Sequence, residues 1–179
     1  KVVTTTLNKD PWNNQCFDSY ADMIIWTKKA DGSWSYDYTV FDRWVELMMD
    51  LGIDHTINCY SMLPWNNELH YRDDVTGCFA DVTADPGTPA FEELWVPFLT
   101  DFTGHLREKG WLGRTNIAMD ERSPEEMTDA LDLLRKTAPE LGIAMADNKN
   151  SYLSYPFVNS VCVKVCDRVP PQHIAGRRA

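Results

Sequence analysis

One structural unit recurs along this sequence and limits the folds that the chain can adopt: an amphipathic helix, a glycine that ends it, and a short apolar strand. The first copy predicts a helix over 39–52 and a strand over 55–62. In the second copy, Thr88 caps a helix that begins at Pro89, and the strand that follows lies at 114–121. Repeated helix and strand segments of this kind predict parallel strands joined by crossover helices.

A third copy and two further strands complete the predicted elements. The helix of the third copy runs over 123–138 and leads into a strand at 143–147. Another strand opens the sequence at 1–7, one more lies at 160–165, and a last helix begins near Pro170. All five strands are apolar along most of their length, which is typical of a parallel sheet covered by helices.

These elements predict the α/β class and a partial (β/α)8 barrel of the TIM type. A complete barrel of this type has eight strands and about 250 residues, whereas this chain has about five βα units in 179 residues. The sequence begins inside a predicted strand and stops inside a predicted helix. We therefore expect residues 1–179 to be a fragment of a single barrel domain, truncated at both ends. The two sheet edges of an interrupted barrel are surfaces for dimerisation.

Charge and composition exclude several classes of partner. The formal charge of −10, from 17 basic and 27 acidic residues, repels phosphate groups and argues against a nucleic-acid partner. No apolar run approaches the roughly 20 residues of a membrane-spanning helix. The five cysteines include no CxxC pair and the four histidines are scattered, so we predict no metal site and no cofactor.

Two adjacent carboxylates, Asp120 and Glu121, stand at the end of the strand that precedes the third helix. Ser123 and Pro124 mark the start of that helix. In (β/α) barrels the catalytic groups lie at the carboxyl ends of strands, so these two acids are candidate catalytic residues. The alternative is that they serve only the helix, whose positive N-terminus favours nearby anions. Arg122 beside them either neutralises their charge or orients Asp120, but an exposed arginine is the commoner outcome and the one we expect.

The segments that follow the predicted strands are rich in aromatic and amide side chains. Flat rings stack on the apolar faces of sugars, while amides and hydroxyls bind their polar groups, so these loops predict a carbohydrate site. The candidate substrate-binding residues are Trp12, Asn13, Tyr60, Trp65, Asn66, Asn148, Tyr152 and Tyr155. Core burial is an equal alternative for Trp12 and Trp65, and a polar turn is an equal alternative for Asn148.

Long blocks of the sequence also resemble glycoside hydrolase family 123, a family of β-N-acetylgalactosaminidases. The resemblance covers most of the chain, and the blocks occur in unchanged order: DPWNNQCFDSYADMIIW, DGSWSYDYTVFDRWV, LGIDHTINCYSMLPWN and GWLGRTNIAMDERSPEEM. It implies a hydrolase that removes β-linked N-acetylgalactosamine with retention of configuration and uses the substrate's own 2-acetamido group as the nucleophile. Asp120 and Glu121 match the family's adjacent acid pair.

The resemblance also implies separate roles for the two acids. Glu121 would be the general acid and base, and Asp120 would orient the acetamido group and stabilise the positive intermediate. Two alternatives remain open: a noncatalytic carbohydrate-binding barrel fragment, and a conventional double-displacement glycosidase in which an enzyme carboxylate attacks the sugar. The implied substrate is a glycan or glycolipid that carries β-linked N-acetylgalactosamine, and the chemistry points to a secreted, periplasmic or cell-surface parent protein.

Overall fold

The computed structural model of the chain describes residues 1–12, 22–147 and 151–163. Within these residues, the strands in chain order are β1 (Val2–Thr6), β2 (Ile25–Lys28), β3 (Trp34–Asp37), β4 (Thr56–Tyr60), β5 (Glu68–Asp73), β6 (Phe79–Thr83), β7 (Thr115–Met119), β8 (Gly142–Asp147) and β9 (Ser160–Val163). The α-helices are α1 (Thr39–Asp50), α2 (Pro89–Glu108) and α3 (Pro124–Thr137). The helix predicted near Pro170 lies outside the described residues.

Five strands form one parallel sheet in the order β1, β4, β7, β8, β9. Thr6 at the end of β1 lies opposite Tyr60 at the end of β4, and Met119 of β7 lies opposite Met145 of β8. Because all of these strands run in the same direction, their carboxyl ends lie along one edge of the sheet. The predicted α/β class and the five parallel strands are confirmed.

Two of the three predicted helices, α2 and α3, begin at the caps that the sequence indicates. Thr88 Oγ1 accepts a hydrogen bond from the backbone N–H of Phe91 at 3.3 Å. Ser123 and Glu126 form a capping box, in which each side chain accepts the backbone N–H of the other residue. Past the end of α2, Gly110 has a φ of 72°, a left-handed conformation that glycine adopts without steric cost. The two predicted caps and the glycine that follows α2 are therefore present in the fold.

A second sheet, which the sequence pattern does not predict, has four strands in the order β3, β2, β5, β6. β2 pairs antiparallel with β3 and parallel with β5, and β5 pairs antiparallel with β6. All four strands belong to connections of the first sheet: β2 and β3 lie between β1 and α1, and β5 and β6 lie between β4 and α2. The chain is therefore more than a plain alternation of strand and helix.

Aromatic packing joins the second sheet to α2. The Trp26 side chain on β2 is 1% exposed, and its ring stacks on Phe98 of α2 with the ring centroids 4.3 Å apart. Trp95, also on α2, meets the same indole edge to face at 5.2 Å. The indole N–H of Trp26 donates to the backbone oxygen of Leu7 at 2.9 Å. This core therefore anchors the segment that leaves β1 and leads to Trp12.

The described residues were compared with the requirements of a membrane-spanning helix and of a metal site. No α-helix in the part of the chain that the structure describes has the length and apolar character needed to cross a membrane. Within residues 1–12, 22–147 and 151–163, no three or more His, Cys, Asp and Glu side chains are placed to hold a metal ion together. Among the same residues, the thiol of Cys59 is buried in β4, whereas the thiols of Cys78 and Cys162 are exposed.

Candidate active site

The predicted acid pair lies at the carboxyl edge of the parallel sheet. β7 is buried along its whole length, and Asp120 is the first residue beyond it. Asp120 is half-buried, whereas Glu121 is exposed. The two adjacent acids therefore have different environments: one carboxylate is held against the protein, and the other faces solvent.

The Asp120 carboxylate accepts a hydrogen bond from the side chain of Trp65. The indole Nε1 lies 3.0 Å from Asp120 Oδ2, and the Trp65 residue remains 45% exposed. Trp65 lies on the loop after β4, and its backbone N–H donates to the backbone oxygen of Pro11 at 3.0 Å. The loops that follow β1, β4 and β7 therefore meet at Asp120. Because hydrogen bonds are directional, this contact fixes the orientation of the carboxylate.

A second predicted aromatic residue, Tyr60, lies near this carboxylate, and a third, Trp12, contacts the Tyr60 ring. Tyr60 is the last residue of β4, and burial raises the pKa of its phenol, with a further contribution from the negative charge of Asp120. The Trp12 ring lies 5.4 Å from the Tyr60 ring, tilted by 47°. The structure thus places Tyr60 and Trp65, at the end of β4 and on the loop after it, near Asp120, and Trp12 from the loop after β1 contacts Tyr60.

The other predicted substrate-binding residues fall into three groups. Asn66 is exposed, and its side-chain oxygen accepts a backbone hydrogen bond at 3.2 Å. Tyr152 and Tyr155 are only 1% and 9% exposed and pack in the hydrophobic core. Their rings therefore offer little surface to a ligand, since burial against apolar neighbours uses most of it. Asn13 and Asn148 lie outside the described residues.

A cavity of about 830 Å³ lies elsewhere in the chain, between the second sheet and α2. Its lining includes Trp34, Tyr36, Leu94 and Asp101. None of its lining residues is a predicted site residue. The candidate site is therefore identified by the convergence of three loops on Asp120 and not by the size of a cavity.

Comparison with known proteins assigns the chain to a family. Residues 1–179 match the family described as Glycoside hydrolase 123, catalytic domain. The chain belongs to glycoside hydrolase family 123. The fold is similar to that of a family 123 glycoside hydrolase from Clostridium perfringens, studied for glycolipid glycan hydrolysis, with a TM-score of 0.83 and 32% sequence identity. The similarity covers 92% of this chain and 30% of that one, so this chain spans less than a third of its relative. No curated protein sequence matches the chain.

Arg122 of this family 123 chain has an environment that the sequence does not reveal. Its side chain is 8% exposed, so the expected exposed arginine is wrong. The guanidinium donates to the backbone oxygen of Pro64, to Asn67 Oδ1 at 2.8 Å and to the carboxylate of Glu126. Pro64 and Asn67 are 58 and 55 residues away in the sequence, so no local pattern signals these contacts.

Glu126 takes part in two interactions at the start of α3. The hydrogen bond from Arg122, together with those from Ser123, lowers the pKa of Glu126 to about 2. The ordinary value is 4.5, so the native protein keeps this carboxylate ionised at pH values where the unfolded chain protonates it. The resulting stabilisation is complete above about pH 4.5 and is lost as the pH falls through about 2.

Glu126→Gln should therefore destabilise the protein at neutral pH, and its difference from wild type in free energy of unfolding should shrink between pH 4.5 and about 2. Glutamine preserves the capping box, so the substitution removes mainly the charge. Urea unfolding at several pH values measures the effect. The same substitution in an Arg122→Met background is the control and should show a much weaker pH dependence. If the difference in free energy of unfolding between Glu126→Gln and wild type stayed constant over this pH range, the assigned ion pair would be contradicted.

Proposed function

We propose that this chain carries the catalytic acid pair of a glycosidase that removes β-linked N-acetylgalactosamine. The observation that carries the proposal is the half-buried Asp120 carboxylate, held by Trp65 and bordered by aromatic rings, next to the exposed Glu121. Membership of family 123 supports the class of reaction. On this proposal, the five-stranded parallel sheet is part of a (β/α)8 barrel, whose active site lies at the carboxyl ends of its strands.

The adjacency of the two acids favours a substrate-assisted reaction. A conventional retaining glycosidase uses an enzyme carboxylate that attacks the sugar from about 5 Å away from the acid, on the opposite side of the scissile bond. Asp120 is the immediate neighbour of Glu121 and is already engaged by an indole N–H. A substrate-assisted reaction needs no enzyme nucleophile. The 2-acetamido oxygen donates a lone pair to the anomeric carbon, and the electrons of the broken C–O bond go to the departing oxygen.

Each acid then has a distinct task. Glu121 gives its proton to the departing oxygen and later takes a proton from the water that opens the cyclic oxazolinium intermediate. The exposed position of Glu121 suits this exchange with solvent. Asp120 holds Trp65 through Oδ2, and its other oxygen, Oδ1, is the proposed acceptor for the acetamido N–H. The negative charge of Asp120 stabilises the positive intermediate. Two successive displacements at the anomeric carbon retain its configuration.

The aromatic residues around Asp120 support a sugar as the ligand. Trp65 is 45% exposed and presents part of its indole surface at the carboxyl edge of the sheet. Trp12 and Tyr60 lie in ring contact with each other. Aromatic rings stack on the apolar face of a pyranose, and galacto-configured sugars have a broad face of this kind. We propose a glycan or glycolipid with a β-linked N-acetylgalactosamine as the substrate.

A pair of matched substrates tests the proposal in the longest natural polypeptide that contains this chain. An aryl 2-acetamido-2-deoxy-β-galactoside should be hydrolysed, and NMR of the first product should show the β anomer. The aryl β-galactoside without the acetamido group should react at least about 10³-fold more slowly, because the intramolecular nucleophile is missing. Comparable turnover of the plain galactoside would favour the double-displacement alternative. Binding of both sugars without turnover would favour the noncatalytic alternative.

A further inference from the structure

We propose that Arg122 is a positioning residue that acts on Asp120 through Trp65. The inference rests on the proposed function and assigns a task to a side chain that touches neither the sugar nor the Asp120 carboxylate. Arg122 fixes the loop after β4 on both sides of Trp65, and Trp65 in turn holds Asp120 by its indole N–H.

The hydrogen bonds of Arg122 are directed to the loop and to α3. Nη1 donates to the backbone oxygen of Pro64, and Nη2 donates to Asn67 Oδ1 at 2.8 Å and to Glu126. Nε lies 3.4 Å from the second carboxylate oxygen of Glu126. Within the described residues, none of the three nitrogens donates to Asp120. The charge of Arg122 is therefore compensated by Glu126, and its influence on Asp120 is indirect.

The two loop partners of Arg122 flank Trp65. Pro64 immediately precedes it, and Asn67 lies two residues after it. Asn67 has a φ of 53°, a left-handed conformation that is uncommon outside glycine, and its amide also donates to Asp85 Oδ1 at 2.8 Å. A loop that contains such a residue needs side-chain contacts to hold one conformation. Arg122 supplies contacts at both ends of the segment that presents the indole.

The planar guanidinium is the group suited to this task. It directs several N–H groups in a rigid fork, so one side chain can bind a backbone carbonyl, an amide oxygen and a carboxylate at once. A lysine carries the same charge as a single ammonium group on a flexible stem and cannot hold the same three acceptors in that geometry. Arg122→Lys should therefore keep the positive charge beside Glu126 and loosen the loop.

A double-mutant cycle tests the proposed route from Arg122 to Asp120. The variants are Arg122→Lys, Trp65→Phe and the double substitution, made in the longest natural polypeptide that contains this chain. Trp65→Phe keeps an aromatic ring and removes the indole N–H. Each single substitution should lower kcat on the aryl 2-acetamido-2-deoxy-β-galactoside by about 10-fold to 100-fold, with KM changed by less than about threefold. The double variant should be no slower than Trp65→Phe alone, because both changes break one chain of contacts.

Arg114→Lys is the matched control for this cycle. Arg114 immediately precedes β7, at the end of the strand opposite to Asp120, and it also donates to a loop carbonyl, Asp54 O, at 2.8 Å. Its substitution should leave kcat within about twofold of wild type. Losses that multiply in the Arg122→Lys and Trp65→Phe double variant would overturn the proposal, because Arg122 would then act independently of Trp65. Wild-type kcat in Arg122→Lys would overturn it as well.

Hydrogen exchange provides a readout that does not depend on activity. Peptides that cover residues 61–67 should exchange at least about tenfold faster in Arg122→Lys than in wild type, and at the wild-type rate in Arg114→Lys. Unchanged exchange of this loop in Arg122→Lys would overturn the positioning role, whatever the substrate. Faster exchange in a polypeptide that hydrolyses none of the β-linked N-acetylgalactosamine substrates would instead sustain the loop contacts and refute the proposed activity.

Discussion

Glu121→Gln should nearly abolish the cleavage of substrates with poor leaving groups and largely spare those with good ones. Glutamine has almost the shape of glutamate and no proton to give, so the departing oxygen must leave as an anion. General acid catalysis contributes about 10²-fold to 10⁴-fold, and its full value is needed only where the leaving group is a weak acid. We expect kcat/KM to fall by about 10³-fold to 10⁴-fold for a phenyl glycoside and by less than about tenfold for a dinitrophenyl glycoside.

The measurement is kcat/KM across a series of aryl 2-acetamido-2-deoxy-β-galactosides, since this quantity reports the bond-breaking step. A plot of its logarithm against leaving-group acidity should be steep for Glu121→Gln and shallow for wild type. Glu125→Gln is the matched control, because it makes the same change at an exposed residue in the first turn of α3. An equal loss for every leaving group would show that Glu121 is not the proton donor.

Local sequence patterns predict one of the two sheets of the fold and not the other. The parallel sheet is predictable because its strands are apolar runs, and three of them, β4, β7 and β8, follow amphipathic helices. The caps of two of these helices, at Thr88 and Ser123, are visible as local patterns. The second sheet is not predictable, because β2 and β3 have four residues each and lie in segments that also contain the turn residues of loops. Short strands are specified by their neighbours across the sheet and by packing on α2, and neither is local in the sequence.

In the candidate site, too, the local sequence predicts residue types but not the contacts between positions that are distant in the sequence. Asp120 and Trp65 are predictable as residue types in loops that follow parallel strands, but their hydrogen bond joins positions 55 residues apart. Tyr152 and Tyr155 lie in a polar, aromatic segment that is typical of a binding loop, and the structure packs both rings into the core. An aromatic side chain serves either purpose, so its sequence neighbourhood does not decide between them.

The Arg122 contacts explain how a site made of loops is held in place. The three loops that meet at Asp120 are tied to each other by the bond from Trp65 to Pro11 and by the bonds from Arg122 to the loop after β4. The capping box of α3 includes Glu126, which also accepts a hydrogen bond from Arg122. The second sheet continues from this loop, because β5 begins at Glu68, directly after Asn67. The sheet that the sequence does not predict is thus continuous with the loop that presents Trp65.

Asp120→Asn should lower turnover of every substrate in the series by a similar factor, about 10²-fold to 10³-fold. Asparagine retains a side-chain oxygen that can accept the Trp65 indole N–H, so the substitution removes the charge and leaves the local packing largely intact. The lost stabilisation concerns the positive intermediate and the orientation of the acetamido group, and both are needed whatever the leaving group. The plot of log kcat/KM against leaving-group acidity should therefore keep the wild-type slope and shift downward.

The parallel shift distinguishes Asp120 from Glu121 within one experiment. Asp132→Asn is the matched control, since it makes the same change at an exposed position on α3 and should leave the plot unchanged. A slope as steep as that of Glu121→Gln would mean that Asp120 takes part in proton donation. Full activity in Asp120→Asn would exclude it from the reaction, because a carboxylate that orients and stabilises a charged intermediate cannot be neutralised without loss of rate.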